Sequence, residues 1–118
     1  MSRPEELRDR TKIFALRVIR LFRSLPFRTD TQVLGKQLLR CGTAVAANYR
    51  AVCLSRSKAE FVARIGIVAE EADEVVLWLE LLTESGIVKP EQTKELMKEA
   101  RELPAIFTAS QQTARKAA

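Results

Sequence analysis

The sequence predicts an all-α fold, an up-down-up-down antiparallel bundle of four helices, on three observations. Apolar residues recur at alternating steps of three and four along four long segments, the spacing of a helix buried on one side. The breaks between segments are short and hold Pro26, Ser85-Gly86 and Pro90, and short connections favour antiparallel neighbours. The β-branched and aromatic clusters that mark strands are missing. A chain of 118 residues has the commonest domain size. Residues 1–118 therefore read as one domain, with helices at about 4–25, 30–54, 57–84 and 90–112.

The first helix is expected from about Pro4 to Leu25, with Ser2 or Arg3 before it. Proline suits a first helical turn. Glu5, Glu6 and Asp9 suit the positive end of the helix, and Arg20 and Arg23 the negative end. Leu7, Thr11, Phe14, Val18, Leu21 and Leu25 form a bundle seam. Ile13, Leu16 and Ile19 project on other sides. A helix apolar on more than one side usually has a second burial partner, here expected to be another subunit; scattered surface residues are the alternative.

Pro26 ends that helix, and Thr29 or Asp30 can cap the second. Its apolar positions are Val33, Leu34, Leu38, Cys41, Val45, Ala46, Val52 and Cys53, with a bend expected near Gly42. Ser57 followed by Glu60 is a capping box that starts the third helix. Phe61, Ile65, Val68, Ala72, Val75, Leu79 and Leu82 supply its seam, while Ile67, Trp78 and Leu81 lie elsewhere on it. Gly86 closes it in the left-handed conformation. Pro90 opens the fourth helix, with Leu96, Leu103, Ile106 and Phe107 on its apolar side. Pro104 is expected to kink or interrupt it near Ala100, and the stretch from Gln111 to Ala118 to fray.

The stretch Gln37–Arg50 is unusual. Gly42, Ala46 and Ala47 are small enough to let a neighbouring backbone approach. Asn48, a poor helix-interior residue, predicts either a hydrogen-bonded amide in a tight helix crossing or a ligand contact. Cys41 and Cys53 are twelve positions apart on one helix, about 18 Å at 1.5 Å per residue, too far for a disulfide. Both read as small buried hydrophobes.

Charge is segregated. Residues 1–58 hold thirteen Lys or Arg and four acids, a net +9; residues 59–118 hold seven and eleven, a net −4. Between Asp30 and Glu60 there is no acid, yet Lys36, Arg40, Arg50, Arg56 and Lys58 occur. Such asymmetry suits a basic surface for phosphates, or a head-to-tail contact between copies.

Catalytic chemistry finds little support. The chain has no histidine and no Cys-x-x-Cys, which removes the usual general base and most zinc and iron sites. Glu70, Glu71, Asp73 and Glu74 read as a solvated or intersubunit acidic face rather than a metal site, since di-iron bundles need Glu-x-x-His pairs. Ser55 and Ser57 lack a partner base. No Gly-rich phosphate-cradling loop is present, so no cofactor is expected. Arg10, Arg17, Arg20, Arg23 and Arg40 could track a phosphate backbone; a salt-bridged surface is the alternative. Tyr49 is the only tyrosine, and no aromatic stacking platform for reading bases is visible. The charged N-terminus lacks a leader's apolar region, and no apolar run is long enough to span a bilayer. A cytoplasmic location away from membranes is expected.

Residues Leu38-Leu-Arg-Cys-Gly-Thr-Ala-Val-Ala-Ala-Asn-Tyr-Arg50, Ser57-Lys-Ala-Glu-Phe61, Glu71-Ala-Asp-Glu74 and Trp78-Leu-Glu-Leu-Leu82 resemble the small four-helix-bundle proteins encoded by intervening sequences inside bacterial 23S ribosomal RNA genes. The accessory variability proteins of diversity-generating retroelements resemble the same family. The resemblance runs from the first helix to the early fourth. It implies a bundle that assembles as a ring, commonly a homopentamer, with no known enzymatic activity. For the retroelement relatives it implies a basic ring that binds nucleic acid and a reverse transcriptase. Arg40, Asn48, Glu71, Glu74 and Trp78 match the family's recurrent polar and aromatic positions, and Gly42, Tyr49 and Arg50 belong to its motif. The chain departs at Ala51-Val52, where the family usually has Glu-Ala, and at Glu70, where it often has a basic residue. The expected function is a non-enzymatic oligomeric adaptor that binds RNA or DNA through phosphates. The alternative is a protein–protein scaffold with no nucleic-acid role; a metal-dependent enzyme comes last.

Overall fold

The computed structural model describes residues 3–117; Met1, Ser2 and Ala118, and with them the expectations that touch Ser2 and the last residue, lie outside it. Among the described residues the chain forms α1 (Pro4–Ser24), α2 (Thr29–Cys53), α3 (Lys58–Glu84) and α4 (Pro90–Lys116). A 27-residue helix such as α3 is about 40 Å long at ~1.5 Å per residue. The connections Leu25–Arg28, Leu54–Ser57 and Ser85–Lys89 span less than about 18 Å even fully extended. Each helix packs along the one before it, so successive helices run antiparallel in a rod of 51 × 20 × 19 Å. Helices α1 and α4 close the bundle through the slightest of its four seams. None of the described helices is long and apolar enough to cross a membrane.

The seams that the spacing predicts are the core. Leu7, Thr11, Phe14, Val18 and Leu21 of α1 are buried, and so are Ile65, Val68, Ala72, Val75, Leu79 and Leu82 of α3. Phe14 and Phe107 are the bulkiest fully buried side chains. Leu25, Phe61 and Ile106 pack against the core from partly buried positions. Val33 is exposed and Cys53 lies in the open, while Cys41 is buried.

Two glycines bring α1 and α2 together. A Cβ on Gly42 would lie 2.8 Å from both methyls of Val18, and one on Gly35 2.8 Å from Leu25 Cδ1. Real side chains do not tolerate such distances, so glycine is what lets α1 approach. The two sit seven residues apart, on one face of α2. Despite Gly42, α2 is unbroken, because the residue that weakens the helix also seats it against Val18.

The ends show where local signals hold. Ser57 Oγ accepts from the Glu60 backbone N–H at 3.1 Å. The return arm of the expected box goes to Arg56 instead, whose N–H donates to Glu60 Oε1 at 3.2 Å. Gly86 takes the left-handed conformation, φ 81°. Neither Thr29 nor Asp30 caps α2: both lie inside its first turn, and the Asp30 carboxylate accepts from Thr31 N–H at 2.8 Å. Helix α4 runs through Pro104 without a break and past Gln111 to Lys116, against the expected interruption and fraying. The final turns are held to α3: the Gln111 amide donates to the Val62 carbonyl at 2.9 Å, and Lys58 Nζ to the Arg115 carbonyl at 3.3 Å.

Replacing Gly42 by Leu should destabilise the protein by about 1–3 kcal/mol through overpacking. In urea melts, Gly42→Ala combined with Val18→Ala should lose less than the two single changes summed, because the second change makes room for the first.

Candidate functional site

Positions matched through the resemblance meet in one place. Arg40 reaches from α2 across to α3. There its Nη1 lies 3.5 Å from Glu71 Oε2 and its Nη2 donates to Glu74 Oε2. The same Glu74 oxygen accepts from the Trp78 indole N–H at 3.0 Å, and Gln37 Oε1 accepts from Arg40 Nε at 3.1 Å. Glu71, Glu74 and Trp78 fall three and four residues apart, the spacing that puts side chains on one helical face. The Arg40 side chain is 51% exposed, so screening makes this a positioning network more than a large stabilising one. It holds the half-buried indole against the bundle.

The rest of the motif divides. Tyr49 is buried and stacks on Phe107 of α4, with ring centroids 5.6 Å apart. Burial pushes its phenol pKa up to about 12. Asn48 corrects the hydrogen-bond expectation. Six steps of about 100° put it about 120° round α2 from Gly42. It is half-buried, and its amide makes no hydrogen bond among the described residues. Gly42 faces Val18 of α1; the small-residue face and the amide therefore belong to different sides of α2. Arg50 is exposed at the end of α2.

The five candidate phosphate-binding arginines also divide. Arg10 is engaged: its Nε and Nη2 donate to the Glu99 carboxylate at 2.8 and 2.7 Å, and Nη2 also reaches Glu102 at 2.7 Å. Arg40 is held as described above. Arg17 and Arg20 line a groove between α1 and α4 together with Glu91 and Glu95. Arg23 is exposed and makes no ion pair among the described residues. The hydrogen bond from Arg10, helped by its charge, holds the Glu99 carboxyl below the usual range against the opposing effect of burial.

Other surfaces carry apolar residues. Ile13 and Leu16 of α1 are 57% and 42% exposed, and Ile67, Leu77 and Leu81 of α3 are 51%, 47% and 40% exposed. Ile19 and Trp78, read as off the seams, are half-buried. Among the described residues no group of three or more Cys, Asp and Glu could hold a metal ion. Sequence reasoning passed over Arg8 and Lys12, which line an open cleft with Arg50. Their four-residue spacing opposite a helix with no acid after Asp30 was the available signal.

The model of the family described as 23S rRNA-intervening sequence protein matches residues 6–109. A crystal structure from Bacteroides thetaiotaomicron, of a protein with unknown function from the S23 ribosomal protein family, is 28% identical in sequence. The match covers 92% of this chain and 97% of that one, with a TM-score of 0.85. No curated protein matches.

Arg10→Ala should destabilise the fold by about 1–2 kcal/mol at neutral pH, the scale of hydrogen bonds to a charged group discounted for partial exposure. Because the folded pKa of Glu99 is lowered, its contribution is complete above the unfolded Glu value, about 4.3, and is lost as pH falls through the folded value. Thermal melts should therefore show the gap between parent and Arg10→Ala narrowing below about pH 4.

Proposed function

The chain belongs to the 23S rRNA-intervening sequence protein family, and from that premise we propose that it is a non-enzymatic bundle that assembles into a closed homo-oligomer and binds RNA or DNA through backbone phosphates. The observation that carries this is the state of the α1 cations. Helix α1 holds Arg8, Arg10, Lys12, Arg17, Arg20 and Arg23, and of these only Arg10 makes an ion pair among the described residues. Unneutralised charge on one long helix attracts a polyanion, and binding releases the polyanion's counterions.

Assembly is supported by faces of opposite character. On α1, exposed Ile13 and Leu16 stand among cations; on α3, exposed Ile67, Leu77 and Leu81 stand with Glu70 and Glu74. A basic-apolar face meeting an acidic-apolar face of the next copy is a heterologous contact, which closes when its rotation makes a ring. Five copies are favoured by the sequence resemblance. Repetition in a ring adds weak phosphate contacts into avidity. The exposed apolar face of α3 also favours a second reading, a protein–protein scaffold with no nucleic-acid role.

Light scattering at micromolar concentration should give a closed oligomer; a 13.3 kDa monomer would defeat the assembly. Fluorescence anisotropy at about 50 mM salt should show binding to labelled RNA or DNA that is largely indifferent to sequence. Log affinity should fall with log salt at about 0.7–0.9 per phosphate contacted. No binding to single- or double-stranded forms of either polymer would leave the scaffold reading.

A further inference from the structure

We propose that nucleic-acid phosphates dock in the cleft between the start of α1 and the end of α2, on Arg8, Lys12 and Arg50; this rests on the nucleic-acid reading above and gives it a site. The cleft has a volume of about 340 Å³ and is lined by Arg8, Asp9, Lys12, Arg50, Cys53 and Leu54. Its register follows from the glycine seam. With Val18 over Gly42, antiparallel packing sets residues 8–12 of α1 beside residues 48–52 of α2. Arg8 and Lys12, four apart, share a face of α1, and Arg50 comes across from α2.

All three cations are exposed and none makes an ion pair among the described residues. Asp9 at the rim is the one acid lining the cleft, so the lining carries three positive charges and one negative, a net +2. Two arginine forks and an ammonium match phosphodiester oxygens, the forks able to bind in pairs of hydrogen bonds.

The other side of α1 is built differently. Arg10 is tied to Glu99 and Glu102, and Arg17 and Arg20 share their groove with Glu91 and Glu95. Helix α4 thus sets carboxylates against every cation that α1 turns towards it, and a polyanion there meets repulsion as well as attraction. Helix α2 has no acid after Asp30, so the α1–α2 side keeps its positive potential. Charge balance separates the two sides where a count of arginines along α1 does not.

Two double reversals that change net charge equally provide the test. Lys12→Glu with Arg50→Glu alters the cleft, and Arg17→Glu with Arg20→Glu alters the α4 side. Both are measured as assembled protein, with melting and light scattering confirming fold and size, against fluorescein-labelled oligo(U) RNA at about 50 mM salt. The cleft pair should weaken binding by about tenfold or more and lower the salt slope by about two; the other pair should weaken it by less than about threefold. Equal losses, or a larger loss from the α4-side pair, overturn the cleft and leave the nucleic-acid reading standing. A parent that binds no RNA overturns both. Asp9→Asn should tighten binding by about two- to fivefold, the scale of one surface charge interaction; unchanged or weaker binding places the phosphates elsewhere. Cys53 gives a reading independent of charge change. It is exposed in the cleft, whereas Cys41 is buried and its thiol pKa is pushed up to about 12, chiefly by that burial. Iodoacetamide therefore reports Cys53, and bound oligo(U) should slow its alkylation; an unaltered rate counts against the site.

Discussion

The close approach of α1 to α2 over Gly35 and Gly42 sets the geometry on which the rest depends. With a Cβ at either glycine, Val18 or Leu25 would be pushed outward. The contact fixes the sliding register of the first helical hairpin, and register decides which charges become neighbours. It brings Arg50 to the α1 residues Arg8 and Lys12. It also leaves Tyr49, seven residues on from Gly42, buried and stacked on Phe107. Packing of uncharged atoms thus arranges an electrostatic surface.

Seams of the bundle differ in what holds them. The three between consecutive helices are broad and apolar. The fourth, between α1 and α4, has the least contact and carries the Arg10–Glu99–Glu102 cluster. Glu99, mostly shielded from solvent at 16% side-chain exposure, accepts two charge-assisted bonds, the stronger kind of hydrogen bond. Where apolar area is small, directed bonds supply the specificity. The acids that do this also offset the basic character of that flank, so structural and surface roles of charge compete on one helix.

Features governed by local chemistry could be read from the sequence. The α3 seam, the Ser57 cap, the left-handed Gly86 and the four segments all follow from spacing or from one residue's conformational preference. What failed needed the third dimension. Asn48 looked like a buried amide because its neighbours are small, yet Gly42 and Asn48 point to different sides of α2. Pro104 and the residues after Gln111 looked disruptive, yet packing against α3 carries α4 through both. Cys53 follows the helical pattern of a buried residue but sits where the bundle ends. The cations of α1 were visible as a group; that Arg10 is the one neutralised depends on α4, whose Glu99 and Glu102 are about 90 residues away in sequence. Membership in the family was legible because the residues that carry it run through both α2 and α3.

The order of packing bears on how the chain comes off the ribosome. Each of the three broad seams joins helices adjacent in sequence, so no helix waits long for its partner. The α1–α2 hairpin is a closed unit of about half the chain, able to bury its glycine seam while α3 is still being synthesised. Contacts this local favour fast folding and little exposure of sticky intermediates. The slight α1–α4 seam, with its Arg10 cluster, joins the first helix to the last, so the acids that mask one flank of α1 arrive at the end. Until then the nascent hairpin, whose second helix carries no acid after Asp30, displays its net positive charge within reach of the ribosomal RNA beside which it is made.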